Sequence, residues 1–301
     1  MPFKGSPIYA SERVPRRLRS AWNLGSDGIS KNLKRAKMAR RLNPFRRLKM
    51  QHEELVLRTD DGVSLNAWFV SPAAPRADGL MVLMHHHYLG QKASMIPWIH
   101  LFWRLGLPSL SFDARGHAAS DPSPDGRGSF GKRAADVRAG WDELQRRGAR
   151  RILGYGQSQG AATLVMGVGG RRSLAGLVLD SGPAPEMGTA AWGLAGNMLG
   201  IGRRDRLARG LLAARIIPGT EPVRYVPTLW RALYRTRHTP LLWLHGDQDE
   251  VIRPAWSRLW YDRLKTEAWT ELSVAGADHV RTLQTDEAAV GAAVQALLAR
   301  L

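Results

Sequence analysis

Gly156-Gln157-Ser158-Gln159-Gly160 sets one serine between two glycines, after the apolar run Arg151–Gly156 and before the Ala-rich stretch Ala161–Val165. A serine hydroxyl is a weak nucleophile until a base takes its proton. A strand that bends sharply into a helix at G-x-S-x-G lifts Oγ clear of the backbone, and small flanking residues keep neighbouring Cβ atoms from colliding. The chemistry such a serine can do is acyl transfer, with a histidine as base and an acid to orient it. A strand-to-helix turn without chemistry is the plain alternative, so the partners must be found elsewhere in the chain.

Stepping along the sequence, apolar runs alternate with helix-spaced ones. Residues 53–72 alternate with period two around Asp61-Gly62 and predict a hairpin. Strands are expected at 79–86, around 107–112, at 151–156, at 174–182, at 239–249 and at 270–276. Helices are expected at 92–105, 129–148, 159–169, 255–267 and 285–300. This regular alternation implies a mainly parallel, doubly wound α/β sheet covered by helices on both faces. Ligands and reactive groups in such sheets gather at the carboxyl ends of strands. Reading off those ends gives His85-His86-His87-Tyr88, Asp113, Ser158, Asp180, Asp247 with Asp249, and Asp278-His279.

Several of these motifs together resemble the α/β-hydrolases over residues 53–300. Beyond the elbow, Asp113-Ala114-Arg115-Gly116-His117 followed by Ser120 resembles the D-x-R-G-x-G-x-S loop of that family. His245-Gly246-Asp247-Gln248-Asp249-Glu250-Val251 resembles its H-G-x-x-D-x-x-V, and Gly276-Ala277-Asp278-His279-Val280 resembles its terminal histidine turn. The resemblance implies an α/β-hydrolase fold with Ser158 as nucleophile, His279 as base and Asp249 as acid, in the family's chain order. Asp247 and Asp180 are the rival acids. A serine at the elbow sets the chain apart from the dehalogenase and epoxide hydrolase branches, which carry aspartate there.

Aligning Gly90-Gln91-Lys92 with the family's Gly-x-Lys puts His86 at the motif histidine and His87 where glycine is usual. Tyr88 and Gln159 are then the expected backbone donors of an oxyanion hole, with His87 as the alternative to Tyr88. Consecutive imidazoles on an extended chain point to opposite faces, so the run is read as loop rather than as a metal site. No metal and no cofactor is implied.

The strand–helix alternation stops at residues 183–238, where Gly-, Trp- and Arg-rich helical pieces read as a cap inserted between core segments 50–182 and 239–301. Trp192 and Trp230 fall in that stretch and are the expected substrate-binding aromatics. Of the formal net charge of +18, residues 1–50 hold 14 Lys/Arg against Glu12 and Asp27, leaving only +6 for the rest. The basic lead-in, residues 1–49, is expected to be a solvated segment or a contact for anionic lipid; no nucleic-acid motif accompanies it. The chain has no cysteine, which excludes disulfides, thiolate catalysis and Cys-ligated metals. No apolar run reaches the ~20 residues of a membrane span, and the first 20 residues lack a secretory h-region, so a cytoplasmic or membrane-surface location is expected.

The sequence therefore reads as a serine hydrolase acting on a small ester, with an apolar acyl or aromatic group, through an acyl-enzyme. A peptidase or amidase, a thioesterase, and a non-catalytic binding protein on the same scaffold stay open.

Overall fold

A computed structural model describes residues 48, 50–88, 90–124, 130–184 and 221–301. Eight strands form one sheet: β1 (His52–Arg58), β2 (Ser64–Val70), β3 (Leu80–His85), β4 (Ser109–Phe112), β5 (Arg151–Gln157), β6 (Leu174–Asp180), β7 (Leu241–Gly246) and β8 (Trp269–Val274). Their order is β1-β2-β4-β3-β5-β6-β7-β8. The β1–β2 hairpin and the β2–β4 pair are antiparallel; every other pair is parallel.

Among the described residues the helices are α1 (Ile96–Arg104), α2 (Phe130–Arg146), α3 (Gln159–Val168), α4 (Glu221–Arg235), α5 (Pro254–Leu264), α6 (Thr282–Thr285) and α7 (Glu287–Leu298), with a 3₁₀ turn at Lys92–Met95 before α1. Pro97 sits in the first turn of α1, where its missing N–H costs no hydrogen bond.

Because strand side chains alternate between faces, each strand feeds two cores. Leu83, Leu110, Phe112, Ile152, Leu177, Leu179, Leu241 and Trp243 face α2, α3, α4 and α5, which contribute Trp141, Val165, Leu233 and Trp260. Val82, Met84, Leu153, Tyr155, Val178, Leu242 and Leu244 face α1 and α7, which contribute Trp98, Phe102, Val290 and Val294. Each fully buried Leu or Val contributes about 1.5–3 kcal/mol. Buried ion pairs come close to break-even after desolvation. The two apolar layers therefore hold the sheet, and the buried charges fix loop geometry.

One expected boundary is corrected. Residues 221–235 lie within the expected cap, 183–238, but α4 buries Leu229, Ala232 and Leu233 in the core beside α3. Its apolar positions repeat at helical spacing toward the sheet, so it is a layer helix of the scaffold. Trp230 packs against that core with the Arg263 guanidinium of α5 5.8 Å from its ring centroid, rather than lining a cap pocket. Trp192 and residues 185–220 lie outside the described residues.

Candidate active site

β5 ends at Gln157 and α3 starts at Gln159, so Ser158 alone makes the bend. Its φ of 53° and ψ of −117° lie where residues with a Cβ are rarely found, a conformation that costs about 1–3 kcal/mol and persists when the surroundings over-determine it. They do so here. A Cβ on Gly156 would lie 2.7 Å from Ala161 Cα, and one on Gly160 would lie 2.4 Å from the His85 carbonyl oxygen. Glycine is needed at both positions because backbone, not a movable side chain, fills the space. The Ser158 amide donates to the Asp180 carbonyl at 2.8 Å, extending the β5–β6 ladder up to the bend.

His279, in the loop after β8, reaches back over the sheet. Its Nε2 lies 2.9 Å from Ser158 Oγ and its Nδ1 lies 2.7 Å from Asp249 Oδ2. Asp249, in the loop after β7, is 2% exposed and accepts the Val251 and Ile252 amides on Oδ1 at 2.9 and 2.8 Å. Burial alone would raise its carboxyl. The charge of His279 and hydrogen bonds from His245 and His279 outweigh burial and hold the pKa at about 2. His245 donates Nε2–H to the Ile252 carbonyl at 2.7 Å and stands 3.3 Å from Asp249 Oδ2, bracing the acid loop.

The two rival acids have other work. Asp247 accepts the Gly276 amide at 2.8 Å. Asp180 is fully buried, taking Tyr155 Oη and Gln157 Nε2 at 3.2 Å each and Ser181 Oγ at 3.1 Å; burial raises its carboxyl. Ser181 Oγ in turn accepts the Val280 amide at 2.9 Å. Val280 follows His279 directly and has φ +54°, an outlier for a β-branched residue. Ser158, Ser181 (φ +56°) and Val280 thus place three strained backbone positions around one imidazole. No sequence motif flags Ser181; the signal is this strain.

The histidine run after β3 is pinned rather than exposed. His86 accepts the Ala114 amide on Nε2 at 3.0 Å, which leaves its proton on Nδ1 to donate to the His87 carbonyl at 2.7 Å. Burial holds this imidazole neutral, well below the usual histidine range. His117 Nε2 meets the Tyr88 carbonyl at 2.7 Å while its Nδ1 lies 3.0 Å from the Arg115 carbonyl. Arg115 is itself buried, donating to Asp61 through both Nη atoms (2.7 and 2.9 Å) and to Asp136 through Nε at 2.8 Å. Lys92 donates to Asp113 at 2.6 Å and to Asn66. The departure at His87 is accommodated at Gly90, where a Cβ would sit 3.0 Å from the His87 ring. Tyr88 and Gln159 therefore belong to two segments that meet where Gly160 abuts His85 and His86.

No protein-family model and no curated protein matches the sequence. Solved structures do. The Pyrococcus furiosus esterase Pf2001 superposes with a TM-score of 0.65 at 21% identity, over 85% of this chain and 95% of that one. An α/β hydrolase from Novosphingobium aromaticivorans gives 0.57 at 18%, over 84% and 99%. An α/β serine hydrolase homologue from Coxiella burnetii gives 0.56 at 16%, over 84% and 98%. This chain has the α/β-hydrolase fold. Within that fold, Ser158, Asp249 and His279 stand at the carboxyl ends of β5, β7 and β8, as the sequence motifs imply. Among the described residues no helix is long and apolar enough to cross a membrane.

An arrangement of this kind can pass a proton from a hydroxyl to an imidazole whose far nitrogen is fixed by a buried carboxylate.

Proposed function

We propose that the protein is a serine hydrolase that cleaves a carboxylic ester through an acyl-enzyme. The observation that carries this reading is the unbroken chain Ser158 Oγ–His279 Nε2–His279 Nδ1–Asp249 Oδ2, with links of 2.9 and 2.7 Å. His279 takes the Ser158 proton as Oγ attacks the substrate carbonyl. Asp249, ionised and buried, fixes the imidazole tautomer and stabilises the imidazolium. The tetrahedral intermediate's oxygen is held by the peptide N–H groups of Tyr88 and Gln159, each worth about 10²–10³ in rate. His279 then returns the proton to the leaving alkoxide, and the acyl group stays on Ser158. Water, deprotonated by His279, attacks that acyl-serine and releases the carboxylic acid and the free hydroxyl.

The esterase among the similar structures supports an ester over an amide as substrate. The test is hydrolysis of p-nitrophenyl esters of graded acyl length by the full chain, alongside fluorophosphonate labelling. Turnover and labelling that both vanish in Ser158→Ala support the reading. Absence of both in the wild-type protein favours the binding-protein alternative.

A further inference from the structure

Tyr88 and Gln159 come from different segments, the loop after β3 and the start of α3, yet one side chain touches both. Arg133, in the first turn of α2, is buried; its Nη1 donates to Gln159 Oε1, and its guanidinium carbon lies 5.4 Å from the Tyr88 ring centroid. A guanidinium is planar. It can donate in its plane to an amide oxygen while turning its face to an aromatic ring, a combination that an ammonium cannot reproduce. The carbonyl of Tyr88 is held independently by His117 at 2.7 Å, so the loop is gripped at its backbone from one side and at its ring from the other.

We infer that Arg133 is a positioning residue of the oxyanion site, fixing the peptide groups of Tyr88 and Gln159 relative to each other through their side chains. The inference rests on the serine-hydrolase reading and adds to it a residue outside every motif in the sequence. The distance between two donors from separate segments must be set by something that spans them. Misplacement by about 1 Å is enough to lose roughly 100-fold in rate.

The experiment compares the full-length wild type with Arg133→Gln and Arg133→Lys, measuring kcat and KM on p-nitrophenyl butyrate. Inhibition by a trifluoromethyl ketone, which forms a tetrahedral adduct on serine, is measured beside them. Arg133→Gln is expected to lower kcat about 10- to 100-fold, leave KM within about threefold, and weaken the ketone by the same factor as kcat/KM. Arg133→Lys is expected to recover less than half of that loss on a logarithmic scale. Adding Gln159→Ala to Arg133→Gln is expected to cost little more than either change alone, because both break one contact. Should Arg133→Gln not fold, Gln159→Ala and Tyr88→Leu keep both peptide N–H groups while removing the two partners of Arg133. The same fall in kcat at constant KM is expected of each.

A wild type that turns over normally while Arg133→Gln keeps its kcat and ketone affinity overturns the inference and leaves the hydrolase reading intact. Full recovery of activity in Arg133→Lys, or wild-type kcat in both partner variants, overturns it as well. A wild type with no turnover and no fluorophosphonate labelling overturns the hydrolase reading, and the inference falls with it.

Discussion

His279 Nε2 and Ser158 Oγ stand 2.9 Å apart although 121 residues separate them in sequence. Groups that act in one proton transfer lose their effect together. Ser158→Ala and His279→Ala are each expected to lower kcat on p-nitrophenyl butyrate by about 10⁴-fold or more, and the double variant to lose little beyond either single change. Steady-state kinetics on the three variants checks this. Multiplicative losses would mean that the two side chains do not share a step.

Asp249 is distinguished from Asp247 and Asp180 by its contact with His279, so asparagine at the three positions should give three different results. Asp249→Asn keeps the shape but favours the wrong imidazole tautomer, and kcat is expected to fall about 10⁴-fold. Asp247→Asn, altered only in its bond to the Gly276 amide, should stay within about threefold. The pKa of Asp249, about 2 in the fold against an ordinary 3.8, also predicts a pH effect. A depressed carboxylate contributes stability that is complete above about pH 4 and is lost as pH falls toward 2, here about 2 kcal/mol. Urea denaturation at pH 4 and pH 2.5 should show a larger loss in the wild type than in Asp249→Asn, the difference being on the order of 1–2 kcal/mol.

The imidazoles of His85 and His87 point to a second acid sensitivity, which begins nearer neutral pH. Burial pushes both down to about 3, and it pushes His86 well below the histidine range. Between pH 6.5 and 3 the unfolded chain binds protons at these sites and the folded chain does not, so stability rises with pH across that window. Each imidazole weakens the fold by up to about 1.4 kcal/mol per pH unit once it is charged only in the unfolded chain. The urea midpoint should therefore fall steadily from pH 7 to pH 4.5. His85→Gln, which removes one titrating group, should flatten that slope by up to a third. A slope unchanged in the variant would mean that other groups govern it.

Much of this site was legible in the sequence because its parts obey local rules. A turn that allows no Cβ demands glycines around Ser158, and a parallel sheet sends Asp249 and His279 to the same edge. Period-two and helical spacing likewise located all eight strands and α1, α2, α3, α5 and α7 to within a few positions, but not α4 or the four-residue α6. What local rules do not carry is contact between distant segments. Nothing near Arg133 or Ser181 in sequence says that one meets Gln159 or that the other meets the Val280 amide. The end of the expected cap differs from the structure for a related reason. The stretch 221–235 has Pro227 within it, and although Leu229, Ala232 and Leu233 stand at helical spacing, that spacing does not say whether the stripe faces a cap or the core beside α3.

Gly160 joins the elbow to the loop after β3 that is proposed to carry an oxyanion donor, and replacing it should separate stability from activity. A Cβ there would lie 2.4 Å from the His85 carbonyl oxygen and 2.5 Å from that of His86. Both are backbone atoms with no rotamer to escape into, so the start of α3 and the loop before Tyr88 must move apart by about 1 Å, at about 1–3 kcal/mol. Such a shift of one proposed oxyanion donor from the other is expected to lower kcat about 100-fold. Gly148→Ala is the matching control. Its φ of +88° makes alanine strained, but no atom lies within 4 Å of the new Cβ, so it should lose about 1 kcal/mol and keep its kcat. Melting midpoints and kcat measured side by side decide the matter. If the two variants lose activity in proportion to stability, the contact between Gly160 and the His85–His86 backbone serves folding alone; if only Gly160→Ala loses activity, that contact sets the geometry in which Tyr88 and Gln159 meet the reacting oxygen.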